Sequence, residues 1–331
     1  MVFNVPAESL GALSILNNIY SDALEDSKED CWYFILGKPS LQNTSKVRVL
    51  NYPWIKKSWF HRLYFDMLIA PQLVKKYKID KIISYQNNII PRTNVPQTLY
   101  MHNSIPFSDV KFKFLKEPKL WAYQNIISRL IFKSMKKADY IIVQSSWIKE
   151  ASITKLKINK NKISVEPPEF KEKNISSFDG HKKSYRTFFY PAGAFKYKNH
   201  QIIIDACKLI ERNQLLKFKI ILTLTGDENK YSLNLKKQVK KFNLPIEFVG
   251  ELTKEQVFLL YTKTILIFPS SLETFGLPLL EAREHGTPVI ASKKPFCEEI
   301  LAKYDKKKLF KSDDARELSR IIKEVIDRYK I

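Results

Sequence analysis

The chain has 331 residues, 44% hydrophobic and 27% charged, with 56 Lys or Arg against 34 Asp or Glu and a formal net charge of +22. That length accommodates two domains, each with its own core. No run of about 18 uncharged apolar residues is present, which excludes a transmembrane helix, and Met1-Val2-Phe3-Asn4-Val5 lacks the basic n-region of a signal peptide. In chain order, apolar strand-like runs at 32–36, 81–84, 98–101 and 140–143 alternate with helical patterns near 9–24, 60–78 and 120–137. A polar stretch follows at 168–184, containing Gly180 and little apolar periodicity, and it reads as an interdomain linker. Beyond it, strand-like runs at 187–190, 219–224, 246–249, 265–268 and 289–291 alternate with helical patterns at 200–212, 233–242 and 254–262. A final helix is expected over 313–329, with Ser312 or Asp313 as its N-cap signal. Strand and helix alternating through short turns imply a parallel sheet covered on both faces, whose ligands sit beyond the carboxyl ends of the strands.

The three cysteines, Cys31, Cys207 and Cys297, lie far apart and show neither metal-ligand spacing nor an even disulfide framework. The expectation is a cytosolic protein with reduced thiols. A large positive charge suits nucleic acid, an anionic membrane surface or anionic substrates. No zinc finger, homeodomain-like helix or ribonucleoprotein aromatic motif accompanies the lysines, which favours a membrane surface and phosphorylated ligands. Two segments, Trp54-Ile55-Lys56-Lys57-Ser58-Trp59-Phe60-His61-Arg62 and Lys111-Phe112-Lys113-Phe114-Leu115-Lys116, interleave aromatics with cations as an interfacial patch does, and as a snorkelling surface also does.

Glycine is scarce, only eight in total, and five of them (Gly193, Gly226, Gly250, Gly276 and Gly286) lie beside apolar runs in the second half. The segment Glu273-Thr274-Phe275-Gly276-Leu277-Pro278-Leu279-Leu280-Glu281 combines two carboxylates with a turn and a helix start. Pro278 suits the first helical turn and Gly286 the position after its end. A helix opening there presents free N–H groups and a positive dipole end to an anion. Glu273 precedes the helix, and Glu281 lies one turn below Leu277 on the same face. Carboxylates beside an anion site make sense when the phosphate is flanked by sugar hydroxyls.

This run resembles the Glu-(x)7-Glu element of retaining glycosyltransferase family 4, down to Phe-Gly-Leu-Pro-Leu-Leu-Glu-Ala, followed by Gly286-Thr287-Pro288-Val289-Ile290 as the family's Gly-x-Pro-Val-Ile strand. The resemblance covers the chain most strongly from about Ala138 onward. It implies an α/β GT-B fold, two Rossmann-like domains facing a central cleft. It places an acceptor-side domain at 1–167, a linker at 168–184 and a nucleotide-sugar-binding domain at 185–312, with helix 313–331 crossing back to join the first domain. It assigns the donor's diphosphate or sugar to the backbone of Thr274, Phe275, Gly276 and Leu277, the ribose hydroxyls to Glu281 and the transferred sugar's hydroxyls to Glu273. In Lys196-Tyr197-Lys198-Asn199-His200 the family's diphosphate lysine corresponds to Lys198. The arginine common a few residues earlier is absent from Ala192-Gly193-Ala194, and Lys196 is the candidate substitute, without an arginine's bidentate fork. In Tyr100-Met101-His102-Asn103 the histidine corresponds to one beside the donor sugar, with Asn103 where Asp is frequent. Gly11 represents the family's glycine-rich first loop, and Gly226 and Gly250 frame the base or serve as plain turn glycines.

The implied activity is metal-independent, with no cofactor. A hexose or related sugar moves from a nucleotide-diphosphate donor to a growing, lipid-linked glycan of a surface polysaccharide such as lipopolysaccharide or capsule. The enzyme would be cytoplasmic and peripheral on the inner face of the membrane. Two other classes stay open on the residues alone: a nucleotide-sugar epimerase or phosphorylase, and a basic nucleic-acid-binding protein.

Overall fold

A computed structural model describes residues 1–7, 10–26, 30–38, 41–170, 172, 175–210 and 217–328. The expected helix start at Ser9, the helix end at Arg212, the last position of the C-terminal helix at Tyr329 and three linker positions lie outside the described residues. The chain divides into two compact units, Met1–Glu166 and Pro167–Ile331.

The first unit carries seven strands: β1 (Val2–Asn4), β2 (Trp32–Leu36), β3 (Val47–Asn51), β4 (Ile82–Ser84), β5 (Gln97–Met101), β6 (Tyr140–Val143) and β7 (Ile163–Val165). Their helices are α1 (Leu10–Glu25), α2 (Trp59–Tyr64), α3 (Ala70–Lys76), α4 (Pro118–Ala122), α5 (Ser128–Lys137) and α6 (Ser146–Leu156). All pairings are parallel, in the order β3-β2-β1-β4-β5-β6-β7. Strands such as β5 are buried along their whole length, so both faces of the sheet are covered. One core cluster joins β5 and β6 to α5 and α6 through Leu99, Met101, Ile131, Met135 and Ile141. On β1 and β2, Phe3 and Ile35 pack toward Phe65 and Val74 of the α2–α3 region, while Val2 and Phe34 pack toward Leu16 of α1.

The helical stretch expected over 60–78 is α2, a π-helical turn (Phe65–Ile69) and α3, and the stretch expected over 120–137 is α4, a second π-helical turn (Tyr123–Ile127) and α5. A π turn inserts one extra residue into the hydrogen-bond ladder and is frequent at functional sites.

The second unit has β8 (Thr187–Tyr190), β9 (Lys219–Leu222), β10 (Ile246–Phe248), β11 (Ile265–Phe268), β12 (Val289–Ser292) and β13 (Lys307–Phe310). They pair in parallel in the order β10-β9-β8-β11-β12-β13. The covering helices are α7 (His200–Leu209), α8 (Lys230–Lys241), α9 (Lys254–Tyr261), α10 (Leu277–Glu284), α11 (Pro295–Ile300) and α12 (Ala315–Arg328). α8 starts three residues before the apolar pattern indicates, because Asn229 and Ser232 form a reciprocal capping box. α12 is capped by Asp314, whose Oδ1 accepts the Glu317 N–H at 2.9 Å, rather than by Ser312 or Asp313. It packs on α7 of the same unit. The end of the polar segment is tied to the second sheet's helices: Phe178 N–H donates to His285 O at 2.7 Å and Asp179 N–H to Thr262 O at 2.9 Å.

Both sheets reverse their winding direction once, between β1 and β4 and between β8 and β11. At such a switch point the loops leaving two neighbouring strands diverge to opposite faces and open a crevice beyond the carboxyl ends.

Candidate active site

The loops leaving β8 and β11 meet at the second switch point. The β8 loop passes Gly193 and forms a 3-10 turn at Lys196–Lys198, after which Asn199 takes a left-handed conformation (φ +59°) and α7 begins. Lys198 therefore precedes the helix, so it does not oppose the helix dipole from within. Asn199 suits the turn because a short polar side chain tolerates positive φ. Its Nδ2 donates to Ser312 O at 2.8 Å and Pro269 O at 3.4 Å. The two loops are also joined by the Ser271 N–H, which donates to Tyr197 O at 2.8 Å. Beneath them, the buried Tyr190 hydroxyl donates to Lys198 O at 2.9 Å.

Fixed this way, the Lys198 ammonium donates to Glu273 Oε1 at 2.6 Å, with 19% and 15% of the two side chains exposed. Two residues 75 apart in sequence thus form a partly buried ion pair at the mouth of the sheet. Tyr197 flanks the ammonium, its ring centroid 5.8 Å from Nζ, and stacks on Phe195 at 5.4 Å. Burial pushes the Tyr197 phenol up to about 12, with the Glu273 charge adding to it. Lys196 lies on the same 3-10 turn.

The Glu273 loop ends at Gly276, whose φ of +109° is open only to glycine at low cost. Pro278 then stands in the first turn of α10, and the helix runs to Glu284 before Gly286 at φ +68°. Leu279 and Leu280 N–H groups both donate back to Gly276 O. The N–H groups of Phe275, Gly276 and Leu277 have no protein acceptor among the described residues. They are the unfilled donors of a helix start, the kind of group that can hold an anion, on the same loop as Glu273. Phe275 is buried, Leu277 exposed. Thr274 lies between Glu273 and these N–H groups.

Glu281 is on α10 as expected, and its Oε2 accepts from the Tyr261 hydroxyl of α9 at 3.0 Å. Burial raises its carboxyl above the usual range, against the lowering effects of that hydrogen bond and of the Lys254 charge. One turn on, His285 is buried against Phe258, with ring centroids 4.8 Å apart, and its Nδ1 lies 2.7 Å from Glu281 O. Tyr261 and Lys254 were not singled out in the sequence. A tyrosine ending a helix carries no local mark of the carboxylate it will meet.

Gly226 (φ +86°) and Gly250 (φ +77°) close β9 and β10, and a Cβ on Gly250 would touch Thr225 Cγ2 at 3.4 Å, so the two turns adjoin. The N–H groups of Thr225 and Gly226 donate to the Glu228 carboxylate at 2.7 and 3.0 Å. Gly226 therefore spends its N–H on an internal carboxylate.

His102 and Gly11 belong to the first unit. His102 follows β5, one strand from the switch point; its N–H donates to Asn87 Oδ1 at 3.0 Å and its Nε2 lies 3.3 Å from Asn87 Nδ2. Desolvation pushes its imidazole down to about 4, so it is neutral at pH 7. Asn103, at the position where Asp is frequent, turns its Oδ1 to the Ile105 N–H (2.9 Å) and its Nδ2 to the Tyr123 hydroxyl (2.9 Å). Gly11 is in the first turn of α1 rather than in the loop before it. Nearby in this unit, Arg62 Nε donates to Asp66 Oδ2 at 2.7 Å and Gln86 Nε2 to Asp66 Oδ1 at 3.4 Å, a polar chain without a sequence motif. Among the described residues there is no cluster of three or more His, Cys, Asp or Glu side chains able to hold a metal ion, and no helix is long and apolar enough to cross a membrane.

Two doubly wound parallel sheets, with a lysine and a helix start at a switch point of the second, are what the comparison with known proteins has to match. Residues 171–330 match the model of the family described as glycosyl transferases group 1. That match spans nearly the whole of the second unit, and the chain has the two-sheet GT-B fold. It is similar to the O-antigen chain mannosyltransferase RfbU of Salmonella typhimurium (strain LT2), 24% identical over 288 residues that make up 86% of this chain and 74% of that one. In fold it is similar to HepE of Anabaena, solved in complex with UDP and glucose (TM-score 0.69, 17% identity, 99% of this chain and 90% of that one). It is similar to the same degree to WaaG, a glycosyltransferase involved in lipopolysaccharide biosynthesis (TM-score 0.69, 11% identity, 99% and 92%).

Proposed function

We propose that this chain is a retaining, metal-independent hexosyltransferase that uses a nucleotide-diphosphate-sugar donor to extend a lipid-linked glycan of a bacterial-type surface polysaccharide. The observation that carries the reading is the Lys198–Glu273 ion pair (2.6 Å) on the loop that also presents the free N–H groups of Phe275, Gly276 and Leu277. A cation, an anion cradle and a carboxylate are the three groups a sugar diphosphate needs: charge neutralisation, phosphate binding and hydroxyl recognition. RfbU is named as an O-antigen mannosyltransferase, and WaaG acts in lipopolysaccharide biosynthesis, which supports the acceptor class. HepE was solved with UDP, which supports a nucleotide donor.

In transfer, the bond between the anomeric carbon and the diphosphate oxygen breaks, the acceptor oxygen bonds to that carbon, and the acceptor proton leaves with the departing diphosphate. Lys198 and the N–H cradle stabilise the charge that grows on the diphosphate, the largest contribution such a site can make. No metal is needed in this scheme. Glu273, released from Lys198 when the diphosphate engages the ammonium, accepts from hydroxyls of the transferred sugar. Glu281 accepts from the ribose. Lys196 adds a second, monodentate cation, and neutral His102 serves as a hydrogen-bond partner for the donor sugar. The enzyme works on the inner face of the membrane as a peripheral protein.

A thermal-shift panel of UDP, GDP, ADP and CMP against short oligonucleotides tests the reading first. One nucleotide should raise Tm; stabilisation by oligonucleotide alone, steeply weakened by salt, would overturn it in favour of a nucleic-acid protein. Mass spectrometry of products from a donor panel with lipid-linked acceptors then identifies the sugar and the linkage class.

A further inference from the structure

Two tyrosines of the second unit, Tyr190 and Tyr261, are wholly buried, and each spends its hydroxyl on the candidate site. Tyr190 donates to Lys198 O at 2.9 Å and Tyr261 to Glu281 Oε2 at 3.0 Å. A buried hydroxyl needs a partner, and phenylalanine would fill nearly the same volume without that requirement. The oxygen of Tyr261 is therefore the part of the side chain that packing does not ask for.

The Tyr261 ring is held on three sides. Its centroid lies 5.8 Å from that of Phe189 on β8, 6.4 Å from Phe258 on its own helix α9, and 5.5 Å from His285 at the end of α10. Its carbonyl accepts from the Thr287 hydroxyl at 2.7 Å, which ties the end of α9 to the turn after α10. With ring and backbone both fixed, the hydroxyl has one position. Burial holds the phenol far above its usual range, and the Glu281 charge adds to this, so the hydroxyl remains a donor at every working pH.

Glu281 is a long side chain with torsions to spare, and Oε2 is its anchored end. Oε1 accepts from no group among the described residues. The charged and titratable groups that face this carboxylate are Tyr261 and Lys254 of α9 and Glu172 of the polar segment, with His285 on the next turn of α10. Burial works against the charged form, and the Tyr261 hydrogen bond is the foremost influence in its favour.

We infer that Tyr261 is a positioning residue for nucleotide recognition: its hydroxyl pins one oxygen of Glu281, so that the carboxylate stands ready as an anion for the two hydroxyls of the donor's ribose. The inference rests on the reading of Glu281 as the ribose acceptor. A carboxylate has about four acceptor positions, and Tyr261 fills one of them, which leaves enough for a vicinal diol. Removing the hydroxyl frees the Glu281 torsions, which must then be ordered on binding. It also withdraws a hydrogen bond that favours the charge. Both losses fall on the ribose hydroxyls and spare the diphosphate.

The test uses the full chain with UDP, GDP and ADP, each beside its 2′-deoxy form, and calorimetric affinities for the parent, Tyr261→Phe and Glu281→Gln. The parent should prefer the ribonucleotide it binds by about tenfold over the 2′-deoxy form, the worth of a charge-assisted hydrogen bond. Glu281→Gln should erase most of that preference. Tyr261→Phe should reduce it to about threefold while binding the 2′-deoxy form as the parent does. As pH falls, Tyr261→Phe should lose ribonucleotide affinity at a higher pH than the parent, because its Glu281 protonates more readily. Replacing Tyr261 by 3-fluorotyrosine, a stronger donor of nearly the same shape, should move that loss to lower pH, and it reads the hydroxyl by itself if Tyr261→Phe fails to fold. An unchanged ribose preference or an unchanged pH profile in the Tyr261 variants would overturn the inference and leave Glu281 in its role. A parent without ribose preference, or a preference that survives Glu281→Gln, would remove the role of Glu281 and the inference with it.

Discussion

Lys198 and Glu273 are each other's counter-charge in the ligand-free protein, and each is mostly screened from water. A diphosphate arriving at Lys198 competes with a carboxylate that is already desolvated, so binding and the release of Glu273 are coupled. Lys198→Met should lower turnover by about 10²–10³-fold, the loss typical of removing one donor aimed at developing charge. Glu273→Gln should reduce transfer more than nucleotide affinity, and Glu281→Ala should do the reverse. Because Lys198 and Glu273 touch, the double variant should lose less than the product of the single losses. Initial rates and calorimetric nucleotide affinities on the four proteins test this, and equal activity throughout would remove the assignment. Two buried imidazoles govern a pH response. Desolvation pushes His102 and His200 from 6.5 down to about 4. Between those values the unfolded chain binds protons that the folded chain refuses, so stability is full above pH 6.5 and falls as pH drops toward 4. Asp66 and Glu281, raised by burial, act oppositely, losing stability as pH rises from about their unfolded values through their folded ones. The urea midpoint should therefore fall from pH 7 to pH 5, and His200→Phe should flatten that slope; an unchanged slope would show that His200 is not responsible. The residue types of the site were legible in the sequence, because Glu-(x)7-Glu and Lys-Asn-His are local words. The pairing of Lys198 with Glu273, and of Glu281 with Tyr261, was not, because each joins different strands or helices.

Elements were readable to the degree that their burial is uniform along the chain. β2, β6, β8 and β11 occur at the bounds indicated by their apolar runs, since a parallel strand covered on both faces must be apolar throughout. β13 and β3 escaped notice for the opposite reason: Lys307-Lys308-Leu309-Phe310 and Val47-Arg48-Val49-Leu50-Asn51 are edge strands with charged, partly exposed faces. β1 and β7, three residues each, were not singled out. The π turns at Phe65–Ile69 and Tyr123–Ile127 leave no compositional trace, because they depend on what packs against the helix. Gly276 was legible, and its conformation explains why. At φ +109° an L side chain is strained, and a Cβ would meet Leu279 Cδ1 at 3.3 Å. Gly276→Ala should destabilise by about 1–2 kcal/mol, which is a fall in Tm of about 2–8 °C for a unit of this size, and should weaken nucleotide binding by tilting the turn's N–H groups. A variant with parental Tm and affinity would show that the turn is not constrained.

The two units each own a sheet, a covering of helices and apolar clusters, which is the condition for independent folding. Residues 167–331 expressed alone should melt cooperatively, and the nucleotide that stabilises the full chain should raise their Tm as well, by about 2.7 kcal/mol of stabilisation at 100 times Kd. A fragment that is unfolded, or folded and indifferent to that nucleotide, would place donor recognition outside the second unit. The α/β class and the turn at Gly276 were present in the linear order of residues, because hydrophobic period and glycine act on the chain within a few residues of themselves. The order of strands in the sheets, the switch points between β1 and β4 and between β8 and β11, and the ion pair that bridges 75 residues exist only after folding. Each is a contact between segments whose separate sequences carry no record of one another, and only packing around a common core brings them within reach.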